Sequence, residues 1–103
     1  MAARLDAAPV CVILLEYLAS EEDVDAQLKP HVEWLTKGFD EGLFLIAGRQ
    51  VPRTSGVILC RGKRAEVEAL AATDPFVTSG VAKANVVEMA VSFAADDWAP
   101  LLG

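Results

Sequence analysis

Cysteine, histidine and positive charge are all scarce in this chain. Cys11 and Cys60 are its two cysteines and His31 is its single histidine, too few for a disulfide scaffold or a zinc site. Nine Lys and Arg stand against fifteen Asp and Glu, giving a formal net charge of −6 and a pI near 4.6. With no basic cluster, nucleic acid and anionic membrane surfaces are poor partners. No apolar run is long enough to cross a bilayer. Met1 to Asp6 places an acid where a secretory leader would continue its apolar core, so export is not expected and the expected location is cytoplasmic. Gly48 and Gly56 form no phosphate-cradling glycine pattern, and the scattered acids form no calcium loop. Neither a metal nor a cofactor is therefore expected. Thr54 and Ser55 lie in no nucleophile motif, which argues against serine-type chemistry.

What remains is an oily chain of 103 residues, 53% hydrophobic with a mean hydropathy of +0.35. Such a composition excludes disorder, and the length fits one domain, 1–103, with a core at 10–93 and a short tail at 94–103. Val10 to Tyr17 is dense in β-branched and large apolar residues and predicts a strand after a loose start ending at Pro9. Ser20-Glu21-Glu22-Asp23 has the form of a helix N-terminus. Val24, Leu28, His31, Leu35 and Phe39 follow at helical spacing, within roughly 80° of arc. Pro30 predicts a kink, or a short lead-in turn with Pro30 near the start of the main helix, and Gly42 a C-cap. Leu43 to Ala47 reads as a second strand stopped by Gly48, Arg49 to Thr54 as a connection, and Gly56 to Cys60 as a third strand. Arg64 to Thr73 predicts a second amphipathic helix. Asp74-Pro75-Phe76-Val77 predicts one capped turn closed by Gly80, and the alternating Lys83 to Phe93 a fourth strand.

This βαββαβ order predicts a ferredoxin-like α+β sandwich, a four-stranded antiparallel sheet with both helices on one face. Yet the first three strands are apolar at nearly every position, whereas a sheet covered on one side should alternate. The second face needs its own cover, and the tail from Ala94 is too short to supply it alone. The simplest cover is a second copy, making a homodimer packed sheet to sheet. A few hundred Å² of apolar sheet at ~25 cal/mol per Å² gives such a dimer several kcal/mol of driving force before association costs.

The candidates for chemistry are few. His31 lies on the apolar stripe, where a histidine is more often a hydrogen-bonded core residue than a catalyst. Asp74 is explained as the N-cap of its turn. If that cap lies beside the first helix, its carboxylate holds one ring nitrogen and frees the other to take a proton. Arginines such as Arg49 and Arg53, flanking Pro52, are ordinarily solvated, but in an acidic chain they are also candidates for a forked grip on a small carboxylate. Cys11 and Cys60, mid-strand among aliphatic neighbours, read as buried inert thiols.

Taken together, the apolar first strand, Pro30-His31 with Trp34-Leu35, Leu45-Ile46-Ala47-Gly48, and Asp74-Pro75-Phe76-Val77 with Gly80-Val81 resemble the YCII-related (YciI-like) domain family over residues 10 to 93. The chain departs from it at Arg49, where many members have proline. The resemblance implies a ferredoxin-like fold pairing into a dimeric α+β barrel, with His31 and Asp74 as an active-site dyad. It also implies proton transfer at activated carbon, because dehydrochlorination of an aromatic breakdown product is described within the family and muconolactone isomerase-like domains are its kin. The resulting expectation is a small cofactor-independent lyase or isomerase. His31 would be the base, Asp74 its partner, Arg49 (Arg53 more weakly) the anion site, and Phe76 a pocket wall. A non-catalytic ligand-binding module and a purely structural dimerisation unit are the rival expectations.

Overall fold

The computed structural model describes residues 1–102. Its first strand, β1 (Ala2–Tyr17), is twice as long as the apolar run predicts. Ala2 to Pro9 has little β-propensity of its own and is held by pairing with the end of the last strand, β4 (Ala82–Ala95). The register shifts between Arg4 and Ala8, where Ala7 adopts φ 57°, so the extension is bulged rather than loose. Pro9 is tolerated there for a geometric reason. Its carbonyl accepts from Gly62 N–H on the side away from β4, so the N–H that proline lacks would also have pointed away from β4.

The predicted first helix divides at Gln27 into α1 (Glu21–Ala26), capped by the Ser20 side chain, and α2 (Leu28–Asp40). Pro30 is the third residue of α2, where backbone N–H groups have no helical partner, so the lead-in alternative holds and the helix does not kink at proline. Gly42 follows the end of α2 at φ 76°, as a C-terminal glycine should. Gly38 has a separate task. A Cβ there would collide with the Phe44 ring, so its absence lets the next strand press against the helix.

That strand, β2 (Phe44–Arg49), corrects the boundary read from the sequence: Gly48 does not stop it, and Arg49 is its last residue rather than part of the connection. β2 is an edge strand, and pairing of Gly48 with Val57 and of Arg49 with Gly56 carries the ladder through the glycine. β3 (Ser55–Arg61), α3 (Arg64–Ala71) and the single turn α4 (Pro75–Thr78) follow as expected, with helix and strand ends shifted by a residue or two. The sheet order is β2-β3-β1-β4, all antiparallel, the ferredoxin-like arrangement.

Cys11, Ile13 and Leu15 of β1 join Ile58, Cys60 and Val86 beneath Val24, Val67, Ala71 and Phe76 of the helices, and this is the core. The other face carries Val10, Val12, Leu14, Val57, Leu59 and Val87, and here the tail proves more useful than its length suggests. Trp98 and α5 (Ala99–Leu102) lie over Val10 and Val91 and bury that end. The rest stays open, with Ile46, Val87, Met89 and Phe93 all exposed. No helix among the described residues is long and apolar enough to cross a membrane.

Candidate active site

Two local rules meet at one point between α2 and α4. Helical spacing within α2 puts His31 on the side of Leu28 and Leu35, and the residue is almost fully buried at 7% exposure. Asp-Pro starts a helical turn, so the Asp74 carboxylate folds back to accept from Phe76 N–H at 3.0 Å. The same oxygen, Oδ1, lies 2.7 Å from His31 Nδ1. A carboxylate only accepts, so the ring donates through Nδ1–H, which in a neutral imidazole puts the lone pair on Nε2. Asp74 is wholly buried, and its second oxygen, Oδ2, has no hydrogen-bond partner among the described residues.

The imidazole is also packed among aromatic rings. Phe76 stacks on it at 3.8 Å between ring centroids and 4° between planes, and Trp34 lies at 6.0 Å and 24°. Tyr17 meets Phe76 edge-on at 6.0 Å. His31 also lines a cavity of about 220 Å³. Leu15, Leu28, Val32 and Ile58 make its apolar wall, and Tyr17, Phe76 and Arg49 supply its aromatic and charged groups. Gly48 and Gly56, without side chains, leave room along one side. A hollow of about 370 Å³ lies on the other side of β2, sharing Gly48 and Arg49 but reaching no histidine.

The expected site residues thus separate. His31, Asp74 and Phe76 converge, although Phe76 is the platform under the imidazole as much as a wall. Arg49 reaches the cavity because it ends β2 on the helix-covered side, and among the described residues it forms no ion pair. Arg53 does not line the cavity. It is engaged by Asp25 of α1 at 2.6 Å, with its guanidinium 5.7 Å from the Tyr17 ring centre. That hydrogen bond holds the Asp25 carboxyl below its ordinary range, with Arg49 adding in the same direction. Tyr17, Trp34 and the two glycines carry no local signal for a site, since each matches a strand or helix pattern that has another explanation.

The thiols behave as their positions suggest. Both are buried and unbridged, and burial pushes Cys60 up to about 11 and raises Cys11 as well. Among the described residues no cluster of three or more ligating side chains could hold a metal ion.

Fold and site together define a ferredoxin-like α+β domain that buries a histidine–aspartate pair beside a small apolar cavity. Residues 10–90 match the family model of the YCII-related domain, and the chain belongs to that family. No curated protein matches the sequence. Among solved structures, the chain is similar to 5-chloro-2-hydroxyhydroquinone dehydrochlorinase (TftG) of Burkholderia phenoliruptrix AC1100 in complex with 2,5-dihydroxybenzoquinone. That likeness has a TM-score of 0.57 at 12% identity, over 76% of this chain and 90% of the other, and it establishes the shared fold.

Proposed function

We propose that the protein is a small-molecule enzyme of lyase or isomerase type that moves a proton at a carbon next to a carbonyl. The observation that carries this reading is the buried 2.7 Å bond between Asp74 and Nδ1 of His31, a histidine that lines the cavity. His31 Nε2 accepts the proton from the substrate carbon. Asp74 fixes the ring's tautomer and orientation and faces the positive charge that the ring then carries. Charge that develops on the substrate oxygen, or a carboxylate already present, is met by Arg49 at the cavity rim. A base of this kind contributes on the order of 10²–10⁴-fold, and positioning by the apolar wall supplies the rest. The imidazole suffices for this chemistry, so the reading requires no resident cofactor. TftG, a dehydrochlorinase with the same fold, supports a small anionic or aromatic-derived substrate.

The open sheet face supports a second part of the reading, a homodimer packed face to face. Ile46, Val87, Met89 and Phe93 are large apolar side chains left in water by the single chain, and the tail covers only one end of their surface.

A screen of small carboxylates and dihydroxy-aromatic compounds, followed by NMR for binding and turnover, tests the activity. The native protein is expected to bind and convert a member of the screen, and His31→Ala to bind it with little loss and convert none. Binding without conversion by the native protein would instead make this a ligand-binding domain.

A further inference from the structure

Asp74 is tied to His31 through one oxygen alone, because Oδ2 is buried without a partner among the described residues. The one other bond to the carboxylate, from Phe76 N–H to Oδ1 at 3.0 Å, lies within its own turn, so its aim at the ring depends on where the backbone at 73–76 is set against α2. One side-chain bond crosses that gap beside the pair. Trp34 Nε1–H donates to Thr73 Oγ1 at 2.9 Å, and the Thr73 hydroxyl donates onward to the Leu70 carbonyl at 2.6 Å. Trp34 lies one helical turn after His31 with its ring nearly parallel to the imidazole, and Thr73 immediately precedes Asp74. The bond thus links a residue stacked near the base to the residue before its partner.

We infer that Trp34 and Thr73 are positioning residues that set the distance and angle between His31 and Asp74. This inference rests on the reading of that pair as the working group of the site. Neither side chain touches the reacting edge, so both act through the pair. Of Thr73's two hydroxyl bonds, the one to Leu70 is redundant, because the Leu70 carbonyl also accepts from Thr73 N–H at 3.0 Å. Thr73→Val therefore removes the link to Trp34 without orphaning a carbonyl, Thr73→Ser keeps it, and Trp34→Phe keeps an aromatic ring while removing the donor.

The measurement is the solvent-exchange rate of the His31 Nδ1 proton by NMR, compared with that of β1 core amides, which report global opening. Thr73→Val and Trp34→Phe are each expected to accelerate ring-proton exchange about fivefold, the scale of one neutral hydrogen bond, with a smaller change in the core amides. The double variant should remain near fivefold, because both substitutions break the same link, and Thr73→Ser should match the native protein. Equal acceleration of ring proton and core amides would reduce the bond to general stability and overturn the inference. So would multiplicative effects in the double variant, or a Thr73→Val protein indistinguishable from Thr73→Ser. Failure of the underlying reading looks different: the native protein would show no protected ring proton whose exchange and resonance position respond to Asp74→Asn.

Discussion

The two faces of this sheet differ in what covers them far more than in what they are made of. Ile13 and Val86 pair on the helix-covered face, and Val12 and Val87, one residue along each strand, pair on the other. Val86 is 8% exposed and Val87 64%. Similar side chains thus meet opposite surroundings, and the difference follows from topology: right-handed crossovers place both crossover helices on one side. The covered face gains a core dense enough to hold polar groups in fixed positions, and the His31–Asp74 pair is built there. The open face has exposed apolar area, apart from the end beneath Trp98 and α5.

Substitutions on either side sharpen this contrast. Ile13→Ala should cost about 2–5 kcal/mol in denaturant unfolding, because the helices above cannot collapse into the space left behind. Val87→Ala should stay within about 0.5 kcal/mol for the isolated chain. Equal losses at the two positions would mean that the open face is as tightly packed in solution as the covered one.

Gly38→Ala is the next largest effect. The new methyl meets the Phe44 ring, and the helix or the ring must move. A loss of about 1–3 kcal/mol is expected despite the better helix propensity of alanine, with equilibrium unfolding as the check.

Val87→Asp tests association rather than folding. Sedimentation of the native protein should give a dimer and the variant a monomer with nearly unchanged circular dichroism, since a charge at the centre of an apolar interface is left unpaired. A native monomer at micromolar concentration would break the face-to-face proposal.

The smallest effect concerns Cys60 on the covered face. Its thiol, pushed up to about 11 from an ordinary value of 9.0, keeps its proton longer when folded than when unfolded. The stabilisation this provides is present below about 9 and is lost as the pH rises towards about 11. Thiol reagents at pH 8 should label the unfolded chain readily and the native chain slowly, and rapid native labelling would show that the face opens.

Much of this organisation was legible because it depends on short-range rules. Ser20 and Asp74 announce helix starts by their side-chain chemistry, and Leu28 and Leu35 at helical spacing fix which way His31 faces, although the longer stripe is broken at Gln27 and ends on an exposed Phe39. Pro30 was readable as either a kink or a helix-start residue, and the structure takes the second, since a missing donor costs nothing in the first turn. Less legible were elements held from outside: Ala2 to Pro9 is a strand because β4 pairs with it, and Gly48 lies within a strand because β3 carries the ladder past it. Arg49 and Arg53 looked equivalent on either side of Pro52. Only the fold put one on the cavity and gave the other to Asp25.

The sequence by itself determined the element order, the apolar character of both sheet faces and the inward turn of the lone histidine, since these follow from periodicity and capping within a few residues. Tertiary structure decided that the cap carboxylate meets the imidazole across forty-three residues of chain, that Phe76 stacks on the ring, and that the tail shelters one end of the open face. Those are relations between elements, set by how the helices settle on the sheet, and no local pattern encodes a distance across that gap.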